Sequence, residues 1–412
     1  MGAGWGSDRG DAGRVEADTA VNQARSTGGG ASNDHYCEGA ARLQLGAGFF
    51  RPESRPSRDL GVLLAALLGR GDLALPAPLT VLDLMAGCGV RGLRYGLEAG
   101  AAAVWANDAD ADRLSVLCTN LEPLHALGCR VQTSARTAQK LLASCLLEER
   151  RFGLLDLDAF GCPTALVPAA LEALQFEGVL YLASTDGRSP TGHDRNAAIR
   201  SLAASARAHP ASWELALRLQ IAVVARAAWA MGRGVRPLFS FSEGRTFRTA
   251  IQLQRRAEPR QEQHLGLLAH CHGCGEQLHQ SLLRLRRWPA CHCGDAAPPL
   301  TISGPLWLGP LQHAPTLQAM QGLAADLPAG RVAPASERLL ARLLADPGSP
   351  PRCWPTAELG RRLGGGPPAT EALLAALRAE GFEALRSGVM NGQFRCNAPW
   401  QRVLELAAAL NR

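Results

Sequence analysis

Three acidic residues stand at the ends of apolar stretches and could carry chemistry. Asp83 and Asp108 each follow a short apolar run, and Asp158 follows a third. Carboxylates attract a cationic ligand, and their oxygens accept hydrogen bonds from the N–H groups of an amine. The set therefore indicates a site that holds a positively charged co-substrate beside an amine, with Asp158 and the neighbouring Phe160 as candidate catalytic residues.

The first of these acids precedes a glycine-rich turn. Gly87 begins a Gly-x-Gly-x-x-Gly pattern after a predicted strand at 80–84. Such a turn suits a nicotinamide or flavin dinucleotide, with Asp108 on its ribose, or S-adenosylmethionine. Asp83 would repel a pyrophosphate on this turn and attract the sulfonium and ammonium groups of S-adenosylmethionine. We therefore interpret the turn as an S-adenosylmethionine site, and an ordinary strand-to-helix turn with incidental acids is the alternative.

A second motif, Asp-Leu-Asp-Ala-Phe-Gly at 156–161, ends a predicted strand at 152–157. At the carboxyl end of a parallel strand it would lie beside the ligand crevice. Asp158 could orient the N–H groups of an exocyclic amine there, and the ring of Phe160 could stack on a base turned out of its helix. A strand end with a capping Asp is the alternative interpretation.

Aromatic and basic residues before the first predicted helix indicate a nucleic-acid contact. Phe49, Phe50 and Arg55 precede this helix, which Ser57 or Asp59 would cap. Adjacent rings and guanidinium groups suit a base and its phosphates. The alternative is that the two rings pack on the core while the arginines are solvated.

Four cysteines in the last third of the chain follow the spacing Cys-x2-Cys-x16-Cys-x-Cys. They are Cys271, Cys274, Cys291 and Cys293. Two pairs of soft ligands separated by a loop are typical of a tetrahedral structural zinc site. His292 could replace one thiolate, and unliganded thiols are the alternative. Three arginines between the pairs could face a phosphate backbone: Arg284, Arg286 and Arg287.

The elements that must position these residues alternate between strands and helices. The alternation predicts an α/β fold: a Rossmann-like class I S-adenosylmethionine methyltransferase domain, followed by a smaller α+β C-terminal domain. The predicted strands are residues 80–84, 102–106, 130–133, 152–157, 178–183, 235–242 and 247–253. The predicted helices are residues 60–68, 90–99, 109–127, 137–151, 163–177 and 213–231.

Composition shifts suggest the domain boundaries. We expect a disordered tail at 1–35, a methyltransferase domain at 36–262 and a C-terminal domain at 263–412. Within the last, we expect a zinc-binding part at 265–312 and a winged-helix-like part at 330–400. A plain helical cap is the alternative to the winged helix. The elements predicted there are an apolar connector at 303–311, helices at 335–345, 356–363 and 369–380, and strands at 381–386 and 393–397.

The composition fits a soluble, cytoplasmic protein with an anionic partner. The 412 residues carry a formal net charge of +6, which permits such a partner without establishing one. No apolar run is long enough to span a bilayer, and the N-terminus lacks a signal core. Most of the twelve cysteines are isolated in apolar segments, which is typical of a reducing compartment.

At this point the motifs resemble those of one family, the Trm1-type tRNA (guanine-N2)-dimethyltransferases. The Arg-Asp-Leu, Asp-x-Asp-x-Phe-Gly and Gly-Pro-Leu-Trp-Leu-Gly motifs are more specific than any glycine-rich turn. The matching stretches run in family order from about residue 36 to 400: residues 49–52, 58–60, Asp83 with the glycine turn, 107–108, 156–161, 185–186, 247–248, the cysteine pairs, 304–309 and 394–399.

The resemblance implies a methyltransferase that makes N2-methyl- and N2,N2-dimethylguanosine between the D arm and the anticodon arm of tRNA, with zinc in its C-terminal domain. We expect the protein to be a monomer. The resemblance also implies that Asp158 holds the guanine amine and that Phe160 lines the base pocket. The implied cofactor residues are Arg58, Asp83, Gly87, Gly89, Asp108 and Ala109. The implied substrate residues are Phe49, Phe50, Arg55 and Asp186.

Three positions depart from the family pattern. Ala159 replaces a Pro, which would loosen the turn that carries Phe160. Glu53 replaces an Arg at a substrate contact, and Thr137 replaces an Asp near the adenine. Two rival functions are a DNA or protein amine methyltransferase and a non-catalytic, zinc-bearing tRNA-binding protein.

Overall fold

The computed structural model describes residues 35–291, 293–294 and 298–411. The tail predicted at 1–35 thus lies outside the described residues apart from His35, and so does His292. The strands are β1 (Tyr36–Glu38), β2 (Ala41–Leu43), β3 (Thr80–Asp83), β4 (Ala103–Asp108), β5 (Arg130–Ala135), β6 (Phe152–Ala159), β7 (Leu174–Ser184), β8 (Gly234–Glu243), β9 (Thr246–Gln254), β10 (Leu265–His270), β11 (Gln277–Ser281), β12 (Thr301–Trp307), β13 (Cys353–Pro355), β14 (Ala384–Arg386) and β15 (Gln393–Cys396).

Helices alternate with these strands through most of the chain. They are α1 (Arg55–Arg70), α2 (Val90–Ala99), α3 (Leu114–Leu121), α4 (Ala138–Leu147), α5 (Val167–Glu172), α6 (Arg195–Leu202), α7 (Ser212–Ala230), α8 (Ala314–Asp326), α9 (Pro334–Leu344), α10 (Thr356–Leu363), α11 (Thr370–Ala379) and α12 (Trp400–Leu410). In the described part of the chain, no helix is both long enough and apolar enough to cross a membrane.

A seven-stranded sheet in the order β5-β4-β3-β6-β7-β9-β8 forms the centre of the fold. Strands β3 to β7 are parallel, while β9 runs antiparallel to β7 and β8 antiparallel to β9. The chain adds strands on one side of β3 and then on the other, so the order reverses between β3 and β6. In open α/β sheets, ligands bind beyond the carboxyl ends of the strands at such a reversal.

Side chains on the central strands alternate between two cores, one on each face of the sheet. Val81 and Leu154 pack against α1, α2, α8 and α9. Leu82 and Leu155 pack against α4, α5 and α7 on the opposite face. The α/β class predicted from the sequence is therefore confirmed, and the predicted helix at 90–99 coincides with α2.

Three local predictions are wrong. Helix α1 begins at Arg55 because Pro56 fits a first helical turn, so Ser57 and Asp59 lie inside the helix and do not cap it. The helix predicted at 163–177 ends at Glu172, because pairing with β6 draws the chain from Leu174 onward into β7. The apolar connector predicted at 303–311 contains β12, an edge strand that tolerates Pro305.

The C-terminal region contains two smaller sheets. Strands β11-β10-β12 form one, and β13-β15-β14 form the other, against α10, α11 and α12. The second has its own core, in which the rings of Trp354 and Trp400 stack with centroids 4.9 Å apart. The smaller α+β region is thus present as predicted, whereas its assignment as a winged helix stays a prediction.

Candidate active site and metal centre

A cavity of about 450 Å³ lies at the carboxyl ends of the central strands. It is bounded by the turn after β3, the end of β4, the end of β6 and the segment before α1. Eight of the predicted site residues line it together: Phe49, Phe50, Arg58, Gly87, Asp108, Ala109, Asp158 and Phe160. The predicted cofactor half and the predicted substrate half therefore share one cavity.

Asp83 and Gly89 do not line this cavity. Asp83 is 1% exposed, and its Oδ2 accepts a hydrogen bond from the Gly92 N–H at 3.1 Å, which anchors the first turn of α2. Burial raises the pKa of Asp83 well above its usual range, and the charge of the neighbouring Asp156 adds to this effect. Gly89 is the residue before α2, with a φ of 81°, and a Cβ there would lie 3.0 Å from Leu117. Both residues therefore stabilise the glycine turn from the side that faces away from the cavity.

Arg55 and Asp186 also lie outside the cavity lining. The Arg55 guanidinium donates to the carbonyl oxygen of Gly330 at 2.7 Å. The Asp186 carboxylate accepts from the backbone N–H groups of Arg188 and Ser189 and shapes the loop after β7. Thr137, the position that departs from the family pattern, begins α4 by accepting a hydrogen bond from the Lys140 N–H.

The end of β4 is tied directly to the glycine turn. The Gly87 N–H donates to Asp108 Oδ2 at 2.9 Å, and the Asp110 N–H donates to Asp108 Oδ1 at 3.0 Å. Gly87 has a φ of 55°, which a residue with a Cβ rarely adopts. Each Asp108 oxygen keeps a further lone pair, so this carboxylate can accept hydrogen bonds from a ligand while it fixes the turn.

Arg58 organises the segment before α1. Its guanidinium makes two hydrogen bonds to the Glu38 carboxylate, at 2.7 and 2.6 Å, and lies 4.9 Å from the centroid of the Phe50 ring. It also donates to the Arg51 carbonyl at 3.1 Å. Burial alone would raise the pKa of Glu38, but Arg58 holds it below its usual value. Arg58 thus fixes one wall of the cavity through bonds that are already satisfied.

Asp158 lies between two arginines on the opposite wall. Its Oδ2 accepts from Arg91 Nη2 at 3.1 Å and from both terminal nitrogens of Arg248 at 3.2 Å. Burial opposes ionisation of Asp158, but Arg248 and Arg91 outweigh it and hold the pKa of this carboxyl below its usual value. The Asp158 side chain keeps 28% of its surface exposed towards the cavity. It is therefore a fixed anion that a ligand can reach.

A second acid, Asp156, lies two residues before Asp158 on the same strand and is buried. Asp156 accepts from Arg91 Nη1 at 3.3 Å and from the Tyr95 hydroxyl. Burial raises the pKa of Asp156, and Asp158 adds to this effect while Arg91 opposes it. Arg91 also donates to the Ser57 hydroxyl at 3.1 Å, so one buried guanidinium joins α1, α2 and β6.

Two exposed aromatic rings stand at the mouth of the cavity. Phe160 is 77% exposed and Phe49 is 69% exposed, and their rings meet edge to face with centroids 5.5 Å apart. Exposed phenyl rings placed side by side are suited to contact a flat apolar ligand. The turn that carries Phe160 is pinned at Gly161, whose N–H donates to Thr185 Oγ1 at 2.7 Å.

The departure at Ala159 does not leave that turn loose. Ala159 is buried and pairs with Ser184 in the ladder between β6 and β7. Ser184 Oγ donates to the Gly161 carbonyl at 3.0 Å, so both sides of the turn are held without a proline.

Arg91 and Arg248 both contact Asp158, and neither was predicted as a site residue. A signal was present for Arg248, because it is the single charged residue of strand β9, and a buried guanidinium needs an acidic partner. For Arg91 the only signal was its place within the glycine turn motif.

The four predicted metal ligands also come together. The Sγ atoms of Cys271, Cys274, Cys291 and Cys293 all lie within 4.8 Å of one another. Cys271 Sγ is 3.5 Å from Cys291 Sγ and 3.8 Å from Cys293 Sγ. Zn–S bonds of about 2.3 Å in a tetrahedron would place the sulfurs about 3.8 Å apart. The cluster could hold a zinc ion without His292.

Known proteins resemble the chain over nearly its whole length. The model of the family described as N2,N2-dimethylguanosine tRNA methyltransferase matches residues 43–408. Two proteins named tRNA (guanine(26)-N(2))-dimethyltransferase are each 30% identical. One, from Methanosphaerula palustris, aligns over 88% of this chain and 91% of its own. The other, from Aeropyrum pernix, aligns over 88% of this chain and 89% of its own.

A solved structure shares the fold. It is described as the complex of Trm1 from Pyrococcus horikoshii with S-adenosyl-L-methionine, and it is 24% identical with a TM-score of 0.76. The similarity covers 90% of this chain and 99% of that one. Because the family model and the relatives cover most of the sequence, the chain belongs to the N2,N2-dimethylguanosine tRNA methyltransferase family.

Proposed function

We propose that this protein transfers methyl groups from S-adenosylmethionine to the exocyclic N2 of a guanosine in tRNA. The expected position is guanine 26, because the names of the relatives specify that position. The observation that carries the proposal is the shared cavity. Asp108 and the glycine turn occupy one wall, and Asp158 with the ring of Phe160 occupies the other.

The residues on one wall of the cavity suit the chemistry of the cofactor. When bound, S-adenosylmethionine supplies a methyl group on a positively charged sulfur. Asp108 offers carboxylate oxygens for ribose hydroxyls, and Gly87 and Ala109 leave the backbone open to close approach. Arg58 holds this wall in place through Glu38, and Asp83 and Gly89 hold the turn from behind.

The opposite wall suits a guanine turned out of the RNA. Phe49 and Phe160 offer rings for stacking, while Asp158 can accept a hydrogen bond from an N2–H. The lone pair of that nitrogen is delocalised into the base, so orientation matters more than a strong base. Asp158 has a lowered pKa, which makes it a weak proton acceptor. We therefore assign it to orienting the amine and stabilising positive charge there, and the surplus proton leaves to water.

The remaining expectations extend this proposal. We expect a methyltransferase domain at 36–262, a C-terminal domain at 263–412 with one structural zinc on the four cysteines, and a cytoplasmic monomer. Arg55 and Asp186 would then affect the RNA through the loops that they shape. Light scattering on the purified protein tests the oligomeric state, and a dimer mass would contradict it.

Incubation of the protein with an unmodified tRNA transcript and S-adenosylmethionine tests the function, with nucleosides identified by mass spectrometry. The expected products are N2-methylguanosine and N2,N2-dimethylguanosine. A transcript in which adenosine replaces guanosine 26 is the matched control and should stay unmodified. Methylation of DNA oligonucleotides or glutamine peptides instead, or cofactor-independent tRNA binding without any product, would contradict the proposal.

A further inference from the structure

A second pair of cavities lies at the opposite end of the central sheet. One, of about 560 Å³, and its neighbour, of about 450 Å³, share Thr80, Arg130 and Arg151 in their linings. Thr80 and Arg130 are the first residues of β3 and β5. The two cavities therefore form a continuous depression along the amino ends of the parallel strands, which we call the amino edge.

The amino edge is strongly basic. Five arginines and no acidic residue line the two cavities: Arg130, Arg150, Arg151, Arg233 and Arg255. Arg150 pairs with Glu148 and Arg233 pairs with Glu172, both from outside the linings. Within the described residues, the guanidinium groups of Arg130, Arg151 and Arg255 have neither an ion pair nor a hydrogen bond. Like charges gathered without counter-charges attract an anion.

Three arginines elsewhere on the surface do have acidic partners. Arg236 pairs with Glu258, Arg386 with Glu371 and Arg402 with Glu380. These three paired arginines therefore provide a comparison for the unpaired arginines that the amino edge gathers in one depression.

Aromatic rings hold two of the cations in place. The Arg255 guanidinium lies 4.5 Å from the centroid of the Phe176 ring, and that of Arg150 lies 5.1 Å from the centroid of Trp105. A stacked guanidinium keeps its N–H groups free at its edge, where they match the geometry of a phosphate. Arg255, which has no ion pair or hydrogen bond among the described residues, is therefore free to bind phosphate oxygens, whereas Arg150 already contacts Glu148 and Gln132.

The amino edge is separate from the methyl-transfer cavity. Strand β6 joins the two, because Phe152 at its start lines the amino edge while Ala159 at its end lines the methyl-transfer cavity. At about 3.3 Å per residue, the two ends are roughly 23 Å apart. A nucleotide bound at one end cannot fill the other.

The unpaired cations are spread across the sheet. Arg130 begins β5, and Arg255 follows the end of β9, five strand positions away in the sheet order. At about 4.8 Å between strands, this separation is roughly 24 Å. A single phosphate cannot span that distance, whereas a chain of phosphates can.

We propose that the amino edge binds the phosphodiester backbone of RNA, as a contact distinct from the site that receives the target guanine. The contact is sequence-independent, because guanidinium groups reach phosphates and no base-reading pocket is needed. It would hold a part of the substrate RNA remote from the methylated base.

The test compares the wild type with the triple variant Arg130→Gln, Arg151→Gln, Arg255→Gln, in which exposed, unpaired side chains are changed and the fold is retained. Fluorescence anisotropy measures the affinity for a labelled tRNA transcript over a series of salt concentrations. We expect roughly tenfold weaker binding at low salt, and a slope of log K against log salt that is smaller by about 2–3. At saturating tRNA, kcat stays unchanged while KM rises.

The matched control is the triple variant Arg236→Gln, Arg386→Gln, Arg402→Gln, which also removes three positive charges. It should keep the wild-type salt slope. An unchanged slope in the first variant, or an equal change in both, would overturn the proposal. Displacement of the transcript by micromolar ATP from the wild type, but not from the first variant, would also overturn it, because the site would then be a mononucleotide pocket. Binding is measured without S-adenosylmethionine, so this test is independent of methyl transfer.

Discussion

At the scale of single residues, the environment of an acid decides its chemical role. Asp83 ends β3, and Asp156 and Asp158 lie near the end of the adjacent strand β6, yet the pKa is raised for the first two and lowered for the third. The difference arises because Arg248 and Arg91 both contact Asp158, whereas Asp83 is buried beside another carboxyl. Of these three acids, only Asp158 combines a negative charge with access to the cavity.

Replacement of Asp158 by Asn tests the proposed orienting role at constant side-chain size. The charge is lost while the fold is kept, and we expect kcat for tRNA methylation to fall roughly 10²-fold or more. Equilibrium dialysis should show unchanged S-adenosylmethionine binding. Near-normal turnover by Asp158→Asn would refute the role.

Arg248→Gln tests the pairing that lowers the pKa of Asp158. In the wild type, this carboxyl stays ionised down to below its usual pKa of about 3.9, so its protonation leaves kcat/KM unaffected above about pH 5. Removal of one guanidinium should raise the pKa of Asp158 and move the acid limb of the kcat/KM profile to higher pH.

The control for this prediction is Arg245→Gln, an exposed arginine of the turn between β8 and β9. It should leave the pH profile unchanged. A lower kcat in Arg248→Gln without any movement of the acid limb would mean that Arg248 acts only through the fold.

At the scale of elements, the metal centre is built into the packing of the C-terminal helices. The turn that carries Cys271 and Cys274 presents its carbonyl groups to buried tryptophans. Trp400 Nε1 donates to the Cys274 carbonyl at 2.7 Å, and Trp354 Nε1 donates to the Gly275 carbonyl at 2.9 Å. The turn that carries Cys271 and Cys274 and the core around Trp354 and Trp400 therefore stabilise each other.

Loss of the metal should consequently destabilise more than the cysteine turn. We expect about one zinc per chain by elemental analysis, and we expect Cys274→Ser to lose it and to lower the Tm by roughly 5 °C or more. Cys118→Ser, at an exposed cysteine of α3, is the control and should retain both zinc and Tm. Full thermal stability of a metal-free Cys274→Ser protein would contradict a structural metal.

At the scale of the whole molecule, buried ion pairs join segments that are distant in sequence. Arg395 on β15 contacts Glu214 on α7 at 2.7 Å and Asp346 after α9 at 2.9 Å. Asp59 on α1 accepts from Arg94 on α2 and from Ser336 on α9. The Arg-Asp-Leu motif thus joins helices that are distant in sequence and also contributes to the cavity wall.

Glu214→Gln tests the first of these junctions through the pH dependence of stability. Burial opposes ionisation of Glu214, but Arg395 and Arg218 lower its pKa to about 2. A lowered pKa stabilises the folded state above the ordinary value of 4.5, and this contribution is lost as the pH falls towards 2. We expect a loss of about 3–5 kcal/mol at pH 7 and a smaller loss at pH 3, measured by urea unfolding.

Glu380→Gln removes an acid from an exposed pair with Arg402 and is the control, with no measurable loss expected. Equal losses for Glu214→Gln at both pH values would show that the charge of Glu214 is not what stabilises the junction.

Local sequence pattern was sufficient to predict the alternating α/β order, the cysteine cluster and eight of the residues that line the cavity. These features depend on local pattern and spacing, as the coincidence of α2 with residues 90–99 illustrates. Local pattern was insufficient for Leu174–Ser184, because only pairing with β6 distinguishes the start of that strand from a helix end.

Which acids face the cavity depends on the tertiary structure. Asp83 follows the expected spacing and yet is turned into the protein, where Gly92 takes its hydrogen bond. Asp158 owes its charge state to arginines 67 and 90 positions away. Spacing along a chain places a residue at a strand end, but the solvation and charge of its side chain depend on partners that only folding brings into contact.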